Sequence, residues 1–187
     1  MKSSSNITEN LMQLMLSYGE VIDLKTHNIL VNVGEKCNKV YYVLEGGFIM
    51  KYFDHKTSVE RTINFHLPDF QPFMTIVQSY FHNKTSNYQI KAFQSSKVIE
   101  MDKKDINRVI AENEELNKFY VDMLINVLIS ENEFKSRLIS LDTKALYQYL
   151  NDTWPQIIRN VPSKYIAEFM GISSEWLSKL KSKMKER

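Results

Sequence analysis

The residues of this chain best suited to chemistry are cations, and they gather near its C-terminus. From Arg159 to Arg187 there are seven Lys/Arg and three Asp/Glu, a net charge of +4. The whole chain carries +2, so residues 1–158 carry −2. A basic module on a slightly acidic body suits a polyanion such as a phosphate backbone. Residues for bond-making chemistry are poorly placed by comparison. The four histidines (His27, His55, His66 and His82) are isolated, with no His-x-His to hold a metal as in a barrel enzyme. No Gly-x-Ser-x-Gly, phosphate loop or His-Glu-x-x-His occurs. Cys37 is the one cysteine, which excludes an intrachain disulfide and a four-cysteine metal or iron–sulfur site, and it reads as a core or loop residue. No catalytic residue, metal site or cofactor is expected.

The basic stretch also has a helical pattern. Ile166 and Met170 fall on one face of a first helix; Leu177 and Leu180 fall on one face of a second. Ala167 is small where two crossing helices would touch. Gly171 sits four residues on, where the turn needs a positive φ, and Ile172 follows it. Ser173 is a candidate N-cap, and Glu175 in the first turn suits the helix dipole. Together these make a helix-turn-helix pattern, more specific than an ordinary pair of packed helices.

These elements need a body to position them. With 43% hydrophobic residues in 187, the chain can bury a core. A short helix is expected over residues 8–18. From Val21 to Met101, seven short segments rich in β-branched and aromatic residues are punctuated by turns such as Glu45-Gly46-Gly47. They predict a small antiparallel barrel or jelly roll, with a short helix between Pro68 and Phe81. A helix from Asp102 to Ala111 follows, then a longer one from Glu114 to Leu141. On the long helix Leu116, Tyr120, Met123, Val127, Ser130, Phe134, Arg137 and Leu141 form a heptad seam. A second stripe, Leu124, Ile125, Leu128 and Ile129, is expected to lie on the barrel, leaving the seam for a second copy of the chain. Asp142 is the expected N-cap of another helix and a hinge; Trp154-Pro155 then leads into a short linker. The N-terminus lacks the apolar core of a signal peptide, and Phe119 to Ile129 is too short to span a bilayer, so a cytoplasmic protein without membrane contact is expected.

This order resembles the Crp/Fnr family of bacterial transcription regulators. The similarity is carried by Lys39-Val40-Tyr41-Tyr42-Val43-Leu44-Glu45-Gly46-Gly47, by Ile139-Ser140-Leu141-Asp142, and by Val161 to Leu180, the last most similar to Bacteroidetes-type members. The fold class is then α+β: a jelly-roll β-barrel like the cyclic-nucleotide-binding domains, a long dimerisation helix and a C-terminal helix-turn-helix. The expected domains are a sensor barrel with flanking helices (1–112), the dimerisation helix (113–141) and the DNA-binding domain (142–187). The resemblance implies base readers at Ser174, Glu175 and Lys179, where the family usually has arginine at two of the three places. It assigns Lys164, Ser173, Ser178 and Lys183 to phosphate contacts. Trp176 either seals the motif's core, the preferred reading, or lies on the DNA backbone.

The same resemblance puts a ligand pocket in the barrel. The Gly-Glu and Arg-Ser pairs that hold a cyclic nucleotide are replaced by Pro68-Asp69-Phe70-Gln71-Pro72-Phe73 and by Ser86-Asn87, so cyclic AMP would lose its cationic partner. Phe73, Ser86 and Asn87 mark the expected pocket, for an unknown effector; Phe65, Phe70, Phe73 and Phe81 read first as barrel core and would make the pocket apolar if they lined it. The partners implied are double-stranded DNA, a second copy paired along Leu116, Tyr120, Met123, Val127 and Phe134, and RNA polymerase. The rival function is a small-molecule-binding or protein-interaction module with a degenerate helix-turn-helix.

Overall fold

Period-two alternation along the strands sets the architecture. The computed structural model describes residues 9–185. Eight strands form two four-stranded antiparallel sheets. They are β1 (Gly19–Leu24), β2 (Ile29–Val31), β3 (Lys39–Glu45), β4 (Phe48–Asp54), β5 (Val59–His66), β6 (Phe73–Met74), β7 (Tyr88–Ala92) and β8 (Ser96–Asp102). The first sheet has the order β1-β8-β3-β6 and the second β2-β7-β4-β5. Their facing sides bury Tyr41, Val43, Phe48, Met74, Ile90 and Val98 in one core. The extra strand relative to the sequence reading is β6, whose two residues are too short to show alternation. The short helix α2 (Val77–His82) follows it.

The turn between β3 and β4 explains its two glycines. Gly46 has φ +83°, and a Cβ there would lie 2.2 Å from the Ser96 hydroxyl. A Cβ on Gly47 would lie 2.3 Å from the Phe93 ring. Any larger residue would push the turn off β8.

Each sheet also buries its outer face. Over the first lie α1 (Glu9–Tyr18), α3 (Lys103–Glu112) and the start of the long helix α4 (Glu114–Ser140). Tyr42, Ile99, Met101 and Met15 pack there, with Val40, Phe73 and Ile106 beside them. On the second sheet, α7 (Ser163–Phe169) packs directly against β5, and α5 (Thr143–Thr153), α6 (Pro155–Asn160) and α8 (Ser174–Lys185) join it in one helical layer. Ile49, Phe65, Leu67, Phe70 and Phe93 of the barrel share one core with these helices. Asp142 caps α5 by accepting from the Ala145 amide at 2.8 Å. The stretch after Trp154, expected to be a linker, is helical: Pro155 takes the first helical position, where its missing N–H costs nothing.

The long helix reverses the expected use of its two stripes. Leu116, Tyr120 and Met123 of the seam face the chain's own α1 and α3. Phe134 stacks on Phe169 of α7, with ring centroids 4.7 Å apart. Val127, in mid-seam, is 40% exposed. The stripe expected on the barrel is the one facing outward: Leu124, Ile125, Leu128 and Ile129 are all exposed, and Val121 extends it. Periodicity shows that a helix has two apolar faces; which of them meets the body depends on how the helix leaves the sheet.

Candidate nucleic-acid interface

Backbone hydrogen bonds at the turn orient the two C-terminal helices. The Ile172 amide donates to the Ala167 carbonyl at 3.0 Å, and the Gly171 amide to the Glu168 carbonyl at 3.1 Å. This pairing ends α7 with Gly171 at φ +69°, a conformation glycine reaches without strain. The Ser173 hydroxyl then accepts from the Trp176 amide at 3.1 Å and starts α8. Behind the turn, Ile166, Ala167, Met170, Leu177 and Leu180 are buried, with Ile172 partly so. The small core holds the helices at a set angle and leaves one face of α8 to solvent.

That face carries the residues singled out in the sequence. Ser173, Ser174, Glu175, Ser178, Lys179 and Lys183 are all exposed, as is Lys164 on α7. Trp176, preferred as a core residue, is 52% exposed, because Leu177 and Leu180 already fill the seam between the helices. The Glu175 carboxyl is held below its usual range by its own backbone amide, by the Ser173 hydroxyl and by Lys179 one turn on. It stands as an anionic acceptor at the open N-terminus of α8, with lysines following along the helix. Lys181 donates to the Ser163 hydroxyl at 2.7 Å and ties the two helices together. The Lys164 ammonium lies 4.6 Å from the Tyr165 ring centroid. Chemically the edge offers one carboxylate acceptor, several hydroxyls and at least three ammonium donors.

No protein-family model matches the sequence, and no curated protein matches it. Solved structures do match. FixK2 from Bradyrhizobium japonicum is similar over 90% of this chain and 85% of that one, at 11% identity and a TM-score of 0.73. A CooA variant from Carboxydothermus hydrogenoformans is similar over 100% and 87%, at 14% identity and 0.74. The c-di-GMP-responsive global regulator CLP of Xanthomonas campestris is similar over 96% and 92%, at 13% identity and 0.67. The fold is that of the Crp/Fnr regulators.

In this Crp/Fnr fold the three residues expected to line a barrel pocket do not meet. Ser86 is buried, but its hydroxyl is spent on the backbone, donating to the Tyr88 carbonyl and accepting from the Tyr88 amide, each at 2.8 Å. Asn87 is exposed, and its carbonyl accepts from the Phe53 amide at 2.9 Å. Phe73 lies on the outer side of the first sheet, against Tyr42 at 4.9 Å. The other aromatics that would have made such a pocket apolar do not gather either: Phe65 and Phe70 are core residues, as first read, packed against the C-terminal helices, and Phe81 is 48% exposed. The scatter follows from the elements that carry them: Phe65 is on β5, Phe73 on β6 and Phe81 on α2, while Phe70, Ser86 and Asn87 lie in connecting loops. Among the described residues no group of three His, Cys, Asp or Glu could hold a metal, and no helix is long and apolar enough to cross a membrane.

The structure adds a junction that sequence reasoning missed. Glu168 on α7 accepts from the Thr62 hydroxyl at 2.6 Å and pairs with the Lys51 ammonium at 3.3 Å; Lys51 also pairs with Glu60. Burial lowers the Lys51 pKa, but the Glu60 and Glu168 carboxylates outweigh it and raise the value. Beside them Phe65, Phe134 and Phe169 form an aromatic cluster, and Trp154 joins it through Phe70 and Phe134. No local pattern announces partners about a hundred residues apart.

Proposed function

We propose that this protein is a homodimeric, sequence-specific DNA-binding transcription regulator that acts in the cytoplasm. The observation that carries the reading is the exposed N-terminal half of α8, capped by Ser173, with Glu175 and Lys179 one turn apart on a net-positive module. In this reading α8 enters the major groove. Glu175 accepts from a cytosine amino group, Lys179 donates to guanine, and Ser174 adds a weaker contact. Lys164, Ser173, Ser178 and Lys183 set the register on phosphates, and the exposed Trp176 ring lies along the backbone.

A second copy supplies the second half-site. The outward stripe of α4 (Val121, Leu124, Ile125, Leu128 and Ile129) has the spacing of a helix face that packs on another helix. Pairing it across a two-fold axis would bury those side chains and set two α8 helices about one DNA turn apart, roughly 34–36 Å. The operator is then an inverted repeat. A signal received by the barrel would act through the Asp142 hinge, and RNA polymerase would be met at the promoter.

The test is recovery of genomic DNA fragments by the purified protein near physiological salt, with a Glu175→Ala, Lys179→Ala double variant beside it. Enrichment of an inverted repeat by the wild type, lost in the variant, is the expected result. Binding should also weaken steeply with salt, because each neutralised phosphate releases counterions. Absence of any salt-dependent DNA binding would sink the reading in favour of a helix-turn-helix that contacts protein.

A further inference from the structure

Among the described residues, space for a ligand is found outside the barrel. The barrel interior, where the sequence placed a pocket, is filled by Tyr41, Val43, Phe48, Met74, Ile90 and Val98. A cleft of about 100 Å³, partly open to solvent, lies instead on the outer face of the first sheet, between α1, β3, β6, β8, α3 and the first turns of α4. Among the described residues, every one around it is aliphatic, aromatic or methionine, and no side chain there is charged. With about 100 Å³ of space, the cleft has room for a small molecule but not for a helix or strand.

We propose that this cavity is a binding site for an uncharged, mainly hydrocarbon small molecule, about the size of one aromatic ring or a short alkyl chain. Three physical arguments support the class. An enclosed apolar void of roughly 150 Å³ takes up benzene, and this smaller cleft is open on one side, so a ring of that size can seat in it and project into solvent. A carboxylate or phosphate would be desolvated with no cation to compensate it. The walls are adaptable, because Met15, Met101 and Met123 contribute flexible, polarisable side chains. Phe119, Tyr120 and Met123 reach the cavity from α4, so an occupant would touch the helix that leads to the C-terminal domain. That this makes the occupant an effector rests on the regulator reading; that the cavity binds it does not.

The methionines provide the test. Protein labelled with ¹³C at the methionine methyls would be titrated with toluene and, separately, with benzoate, the signals being assigned by single Met→Leu variants. Toluene should shift the Met15, Met101 and Met123 methyls and leave Met74 in the barrel core and Met170 in the helix-turn-helix in place. Benzoate should shift none of them. Val109→Trp, which fills the cavity, should weaken toluene binding by about tenfold or more, and Val109→Ala, which enlarges it, should not weaken it. Shifts centred on Met74 or Met170, equal binding of benzoate, or no shifts at all would overturn the proposal. None of these results depends on DNA, so failure of the site and failure of the regulator reading would be separately visible.

Discussion

The two outer faces of the barrel are covered in different ways. The second sheet carries the C-terminal helices on an aromatic cluster, closed at its edge by the Lys51–Glu168 ion pair and the Thr62–Glu168 hydrogen bond. The first sheet carries α1, α3 and α4 over an apolar layer that leaves a cavity. One junction is packed and directional; the other is greasy and underfilled. Packed interfaces with polar ties have few alternative arrangements, whereas an apolar layer with spare volume can accept a ligand at little cost. The difference separates the part of the molecule suited to receive a small molecule from the part whose seating has to change if the C-terminal helices are to move.

The comparison can be broken most severely at Phe65. Its ring is fully buried and meets Phe169 edge-on at 4.8 Å, so Phe65→Ala should cost about 3–5 kcal/mol in urea unfolding. A loss below about 1 kcal/mol would mean that the second face is no better packed than the first.

His66, next on the same strand and paired with Phe48 on its barrel-facing side, probes the barrel interior beneath the packed face by titration. Burial lowers its pKa from 6.5 to about 4; Nδ1–H donates to the Gln71 carbonyl at 2.7 Å, while Nε2 has no partner. A depressed pKa favours the folded state above the unfolded value, and that advantage is lost as pH falls through the folded one. Stability should therefore drop between about pH 6.5 and 4, by on the order of 3 kcal/mol, and His66→Gln should flatten that window in a series of melting curves. An unchanged slope in the variant would show that other groups set the acid limit.

Smaller effects are expected on the cavity side. Met123→Ala removes a half-buried side chain beside existing empty space, so its cost should stay under about 2 kcal/mol in the same urea assay. A cost as large as that of Phe65→Ala would show the first face to be fully packed in solution.

The least costly change is Lys51→Met, at about 1 kcal/mol, because both carboxylates it leaves are partly exposed and can rehydrate. Its clearer readout is amide hydrogen exchange, which should speed up in α7 and not in α1. Equal protection of α7 in wild type and variant would remove the polar tie from the account.

What the chain order and composition determined by themselves was local. Strand alternation, the Gly46-Gly47 turn, the Asp142 cap and the spacing from Ile166 through Gly171 to Leu180 are short-range rules, and the barrel, the long helix and the helix-turn-helix were legible from them. So were the side chains displayed along α8, since a buried Leu177 and Leu180 force Glu175 and Lys179 outward. Tertiary structure alone decided the rest. It turned Leu116, Tyr120 and Met123 inward and Leu124 and Leu128 outward, left Trp176 in solvent, and separated Phe73 from Ser86. It also brought Lys51 and Thr62 to Glu168. The physical reason is the same in each case. A helix with two apolar faces, or a strand with apolar residues on both sides, satisfies its periodicity in either orientation, and only the packing of distant segments selects one.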